Sequence, residues 1–502
     1  MERGSCVKKR KVNRQVDIEI MPQQIKQTSA GEKYAQNRSF RLKKYFVFLL
    51  LFLFLSFSKS FASKLTFEIY HYPDGFTLIT KVVKDYPVAA CRLLVRDGSV
   101  NENPKINGIS HLSEHMFFRG TTTMNDLQMK SYIENYGGQI NGETYQDYTE
   151  FIANIPSVYT SKAVWYLMDG FLHATLLQSM LHLERKPVLD EVSLDKANPQ
   201  RQLIELFQKE MFTDFPYSMP VEGFPSTVKN ITRADLLAWH KRFYVPANAV
   251  LVVVGDIHPR AIRKQVTDLL KGVPDLPFKP PVFRPQTPHT APVVVEEVKK
   301  NIGHPYLALG YLVPGLNTPH QIYPTDVLTF LLGYGQFSLL NKELKQKDHL
   351  VQSISANFLT QPYPGTLQIV AVCHHGDVEK CKNKILGIIA RVKEGKVTPE
   401  ELRLAKRLLI GVYNLGNESD SGFASTIGFY AIMGNPEFAA TYADHIKKVT
   451  LKQVQKIADE YLKNNYVEVV FYPFKKTKKK PLKFKKKPNK STKKGGKWGH
   501  PE

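Results

Sequence analysis

The chain has 502 residues, 43% of them hydrophobic, and a formal net charge of +23. That length supports two ordinary hydrophobic cores, and the apolar content excludes a disordered or fibrous protein. The charge does not mark a specific nucleic-acid binder: residues 1–44 hold about +8 and residues 475–502 about +12, leaving about +3 for everything between.

At the N-terminus, Arg38, Arg41, Lys43 and Lys44 precede the apolar run Tyr45 to Leu55, and Ser60-Phe61-Ala62 offers small residues for a signal peptidase. This predicts a secretory signal peptide within an N-terminal extension spanning residues 1–62. Export across an inner membrane to a bacterial periplasm is expected. The run is shorter than the roughly 20 residues that span a bilayer, and an uncleaved anchor is the alternative. From residue 63 onward the pattern alternates, with strands predicted at 65–72, 77–83 and 89–95.

The pentad His111-Leu112-Ser113-Glu114-His115 follows. Ile109, Leu112 and Met116 recur at helical spacing, Gly120 is a stop signal, and two histidines four residues apart share one helical face. An H-x-x-E-H run on a helix supplies two imidazole ligands to a zinc ion and a carboxylate base beside them. A catalytic zinc usually takes three protein ligands and leaves the fourth position open, so one more must come from elsewhere. The segment 184–191 offers Glu184 and Glu191, seven residues apart on one helical face. Either could bind metal while the other supports it.

With these residues the chain resembles the inverted-zincin M16 peptidases, a family comprising pitrilysin, insulin-degrading enzyme, the mitochondrial processing peptidase and smaller bacterial relatives. The resemblance places the third ligand at Glu191, 76 residues after His115, and the supporting glutamate at Glu184. It extends to Gly108-Ile109-Ser110, Phe118-Arg119-Gly120-Thr121, Asn141-Gly142-Glu143-Thr144, Asp147, Thr149, Phe215-Pro216-Tyr217 and the run from Tyr244 to Asp256, and covers residues 65–474. One departure lies in the site: Pro187 stands where the family carries an aliphatic residue, so the helix bearing Glu191 either kinks or starts there.

The resemblance implies an α+β fold of two homologous LuxS/MPP-like metallohydrolase domains, each an antiparallel sheet with helices packed on one face. The first, residues 63–272, would bind one Zn²⁺ per chain through His111, His115 and Glu191, with Glu114 as general base. Asn141 would lie on an edge strand where an extended peptide substrate adds. A proline-rich linker at 273–292, with Pro280-Pro281, separates it from a second domain without a metal site at 293–474. There, apolar stretches are seen at 306–313, 327–332 and 366–373, and helices are predicted at 380–393 and 399–410.

The second domain of active relatives carries an arginine and, further on, a tyrosine that hold substrate. Aligning Gly333-Tyr334-Gly335-Gln336-Phe337-Ser338 with the family's glycine-rich turn puts Lys345 and Gln352 at those positions. The expectation is a zinc endopeptidase acting as the catalytic subunit of a heterodimer whose paralogous subunit supplies the Arg/Tyr pair; Arg403 is a substitute within the chain. The runner-up is a non-catalytic M16-fold assembly subunit. Four cysteines, Cys6, Cys91, Cys373 and Cys381, exclude a disulfide framework, although Cys373 and Cys381 could pair. The lysine-rich tail 475–502 is too polar to fold, and serves either contact with an anionic surface or solubility.

Overall fold

Two sheets organise the chain in the computed structural model, which describes residues 66–473. The first joins β1 (Glu68–His71), β2 (Thr77–Val82), β3 (Val88–Val95), β4 (Gln139–Thr144), β5 (Thr149–Pro156) and β6 (Ala249–Gly255) in the order β1-β2-β6-β3-β5-β4. The second joins β7 (Val293–Val298), β8 (Tyr306–Val313), β9 (Val351–Phe358), β10 (Gly365–Cys373) and β11 (Val467–Tyr472) in the order β7-β11-β8-β10-β9.

Apart from β1, the two orders are the same. In each half the last strand in sequence returns to lie between the first two, and it runs parallel to the first and antiparallel to the second (β6 beside β2, β11 beside β7). Each sheet therefore departs from the fully antiparallel expectation by one pair. Such a pair needs a long crossover, and helices supply it. In both halves a helix connects the second and third strands: Ile109–Phe117 in the first, Pro319–Gly333 in the second. The apolar stretch 327–332 belongs to that buried helix, whose continuous apolar run has no periodicity to set it apart from a strand.

The central strand β6, Ala-Val-Leu-Val-Val-Val-Gly, is buried along its whole length, and its alternation splits the interior in two. Leu251 and Val253 face the first half's own helices, with Leu93, Phe117, Phe151 and Phe171. Val250, Val252 and Val254 face the other way, into a core shared with the second half. That face is covered by helix Asp420–Ile432, which packs across β3 and β6. Gly428 allows the approach, since a Cβ there would lie 2.8 Å from Leu94 Cδ1. In return, helix Pro199–Met211 of the first half lays Leu203, Phe207 and Met211 against Val467, Val469 and Phe471 of the second sheet. Each half's own helices thus lie on one face of its sheet, and a helix lent by the other half covers the opposite face.

Polar contacts reinforce the exchange. Arg92 donates to Glu150 (2.8 Å) and to Ser421 Oγ (2.9 Å), and Arg96 Nε donates to the Ile432 carbonyl (2.8 Å). Residues 273–289 carry no helix or strand. They are nonetheless seated, with Phe278 against Phe243 and Phe283 between Phe215 and Tyr363. Cys91, Cys373 and Cys381 are buried, unlinked thiols. Among the described residues no helix is long and apolar enough to cross a membrane. The signal segment and the lysine-rich tail lie outside the described residues.

Candidate metal centre and active site

Eight of the nine residues of helix Ile109–Phe117 are buried, which fixes it between β4 and the helix that carries the glutamates. Its N-terminus is held by an acid from the preceding loop. Gly108 takes a left-handed φ of 95°, and its amide donates to Glu102 at 2.7 Å. The Ser110 amide (2.9 Å) and the Asn107 side chain (2.7 Å) donate to the same carboxylate. Glu102 therefore does the work of a capping side chain and places negative charge where the helix dipole favours it. Burial outweighs those donors and leaves its carboxyl raised, to about 7.

The two glutamates lie on helix Gln178–Ala197, whose buried stripe reads Leu181, Glu184, Val188, Val192. The helix runs through Pro187 rather than starting there. Leu183, whose carbonyl the proline leaves without a helical donor, is 57% exposed, so water can replace the missing bond. Glu184 thus occupies a core position and Glu191 the flank beside it, two turns on.

The side chains converge on one point. Glu191 Oε2 lies 3.4 Å from His111 Nε2 and 3.6 Å from His115 Nε2. Donors about 2.0–2.2 Å from a tetrahedral ion stand roughly 3.3–3.6 Å apart, so this set fits one metal of the N/O-binding kind. On the far side of its ring, His115 Nδ1 meets Glu184 Oε2 at 2.9 Å, which directs the Nδ1 proton to the carboxylate and leaves Nε2 bare. Burial, and next the neighbouring His115, push His111 down to about 3, so its imidazole is neutral and able to coordinate at ordinary pH. Glu191 stays half exposed, whereas Glu184 is sealed: their side chains are 47% and 3% accessible.

Glu114 groups with the two histidines, its Oε2 3.9 Å from His111 Nε2. The Thr144 hydroxyl donates to it from β4 at 3.2 Å. Burial is the main cause that raises its carboxyl to about 7. β4 passes so close that a Cβ on Gly142 would fall 2.4 Å from Glu114 Oε1, which ties the glycine to the placement of this carboxylate.

Asn141 lies on β4, the free edge of the first sheet, opposite Ile152 of β5, and its amide donates to Glu143 at 3.2 Å. Lys345 is exposed on the short helical segment Asn341–Lys347. Gln352 is exposed on β9, the edge of the second sheet, with its Nε2 2.8 Å from His304 Nε2. Arg403 is engaged by Glu400 on its own helix, Nε to Oε2 at 2.9 Å. Glu102, Arg119 and Thr144 receive no role from the sequence. The signal for Glu102 is an acid shortly before a helix that starts on glycine. That for Arg119 is a cation one turn beyond His115, facing the buried Glu184.

Comparison with known proteins agrees with this arrangement. The model for Insulinase (Peptidase family M16) matches residues 79–223, and that for the Peptidase M16 inactive domain matches 230–409. A zinc protease of Mycobacterium leprae is 26% identical over 408 residues, 80% of this chain and 91% of its own length. The zinc protease PqqE of Helicobacter pylori is 25% identical over 384 residues, 76% of this chain and 86% of its own. A crystal structure of a protease from Helicobacter pylori superposes with a TM-score of 0.77 at 22% identity, covering 81% of this chain and all of that one. The periplasmic protease PqqL from Escherichia coli gives 0.68 at 16% identity, covering 82% of this chain and 48% of that one. With the two family models spanning more than half of its length and the pentad, Glu184 and Glu191 gathered at one point, the chain belongs to the M16 family of peptidases.

Proposed function

We propose that the chain is a zinc-dependent endopeptidase in which His111, His115 and Glu191 hold the metal and Glu114 moves the proton. The observation that carries this reading is the convergence of Glu191 on both imidazoles at 3.4 and 3.6 Å beside a buried carboxylate. When bound, zinc supplies Lewis acidity that polarises a peptide carbonyl and lowers the pKa of water to about 7. Glu114 accepts the proton of the attacking water and returns it to the departing amine nitrogen. Its place beside the two histidines puts one carboxylate within reach of both the water and the leaving nitrogen. Glu184 orients His115 and touches no reacting atom. The free edge of β4 offers backbone groups to an extended peptide, with Asn141 on that strand.

The test is Glu114→Gln, which keeps the metal donors and removes the proton acceptor. Hydrolysis of an unfolded polypeptide should fall by about 10²–10⁴-fold while metal analysis still finds zinc. Wild-type turnover by this variant would refute the mechanism.

Efficient cleavage, in our reading, requires a paralogous subunit. Neither Lys345 nor Gln352 supplies the planar fork or the phenol expected at its position, Gln352 is bonded to His304, and Arg403 is held by Glu400. Full activity of the isolated chain would remove the partner from this account. The apolar segment after the N-terminal cations supports export to a periplasm. N-terminal sequencing of native protein should find a start near Ser63, and an intact 46–55 segment in a membrane fraction would favour the anchor instead.

A further inference from the structure

Behind the metal centre runs a chain of charges whose outer members, Arg119 and Asp126, have no part in the mechanism above. Arg119 lies one turn beyond His115, where its amide still bonds the Met116 carbonyl at 3.1 Å. Its guanidinium is split between two acids: Nη1 donates to Asp126 Oδ1 at 2.9 Å, and Nη2 is in ion-pair contact with Glu184 Oε1. The other oxygen of Glu184 is the one that meets His115 Nδ1 at 2.9 Å. The order is Asp126, Arg119, Glu184, His115, from the outside inward.

We propose that Arg119 is a positioning residue that anchors Glu184 and, through it, fixes the His115 imidazole with Nε2 turned toward the metal. The inference rests on the zinc reading and deepens it. Glu184 is 2% exposed in a stripe of leucine and valine, where an ionised carboxylate is costly unless a cation stands beside it. Among the described residues Arg119 is the Lys or Arg in ion-pair contact with it. Glu184 must also present one oxygen, and only one, to His115. The guanidinium achieves this by occupying the other oxygen, and Asp126 holds the guanidinium from outside so that it cannot swing away. An arginine is suited to the place because its rigid fork serves two carboxylates at once, which an ammonium does less well. Partners of this kind behind a metal-bound histidine typically alter metal affinity by about 10–100-fold.

The test measures zinc affinity of the full chain by competition with a chromophoric chelator, for wild type, Arg119→Ala, Glu184→Gln and the double variant. Arg119→Ala should bind zinc about 10–100-fold more weakly, and its cobalt(II)-substituted form should show shifted visible bands. In the Glu184→Gln background the same change should cost less than about twofold, because Arg119 acts through that carboxylate. Arg119→Lys should fall between wild type and Arg119→Ala. Wild-type affinity and an unchanged cobalt spectrum in Arg119→Ala would overturn the proposal. So would an effect undiminished in the Glu184→Gln background, which would make Arg119 a general structural residue. If Arg119→Ala does not fold, Arg119→Gln, which keeps most of the stem, is judged by the same two criteria. Failure of the wild type to bind zinc would overturn the metal reading itself, an outcome separate from either of these.

Discussion

The helices Ile109–Phe117 and Pro319–Gly333 hold the same place in two sheets of the same strand order, yet their interiors differ in kind. The first buries His111, Ser113 and Glu114 among its apolar residues, and it is flanked by the buried acids Glu102 and Glu184. The second buries Ile322, Val327, Leu328, Leu331 and Leu332, and its threonines 325 and 329 bond back to their own helix. Strand order therefore determines where a helix sits and leaves open what it presents. Turning such a helix into a metal centre requires burying several polar groups, and the acids among them are each matched by a partner from another element: Glu184 by Arg119, Glu102 by backbone amides, Glu114 by Thr144. The second half has no such group of donors among its described residues, and its helix returns to ordinary packing.

The exchange of helices argues that the two halves are nonetheless one energetic unit, and Phe207 offers the strongest way to break that claim. It comes from the metal-bearing half but is fully buried against the second sheet. Phe207→Ala should destabilise the chain by about 3–5 kcal/mol. Urea unfolding should show one shifted transition followed alike by tryptophan emission and by zinc release. A second half that melts first while the metal stays bound would show the halves to be independent, and would reduce the exchanged helix to a surface contact.

How much of this was legible beforehand follows from the physical range of each signal. The pentad, the helix that carries it and the strands 77–82, 88–95, 306–313 and 365–373 follow from local periodicity, and the expected bounds differ from the observed ones by a residue or so. The heptad spacing of Glu184 and Glu191 puts both on one face, but which of the two is sealed is settled by the packing of the stripe Leu181, Glu184, Val188, Val192 and not by the spacing. What escaped were pairings between segments far apart in the chain. No local pattern shows that helix 199–211 covers the second sheet, that helix 420–432 covers the first, or that Glu102 caps the pentad helix. The insertion of β6 and β11 beside parallel neighbours is equally non-local. Pro187 was ambiguous because a proline inside a helix and one at its first turn differ only in what lies before them.

Glu102 sharpens the contrast between the two helices on a smaller scale. Glu102→Ala leaves the Gly108 and Ser110 amides without their acceptor and the Asn107 side chain with the Pro220 carbonyl alone, in a place water does not easily reach. A loss of about 1–3 kcal/mol is expected, read from thermal unfolding of the chelator-treated protein. Stability equal to wild type would mean that another group or a water takes over the cap, and that the pentad helix needs no more support than its counterpart.

The smallest expected effect concerns the one acid of the second helix, the partly buried Asp326, which accepts from the Tyr442 hydroxyl at 2.7 Å and lies near Tyr430 and Tyr323. Desolvation outweighs the bond from Tyr442 and leaves its carboxyl raised to about 7 from the usual 3.8. The folded state therefore holds a proton that the unfolded chain has already released between those values. By linkage, the stability this group contributes is full below about 4 and is lost as the pH rises through about 7. Wild type should then lose about 1 kcal/mol more than Asp326→Asn between roughly pH 6 and 8, since asparagine keeps an acceptor for Tyr442 and does not titrate. Urea midpoints of both proteins at the two pH values give the difference. Parallel midpoints would place the proton elsewhere, and would leave the second helix with an ionised carboxylate rather than a neutral one.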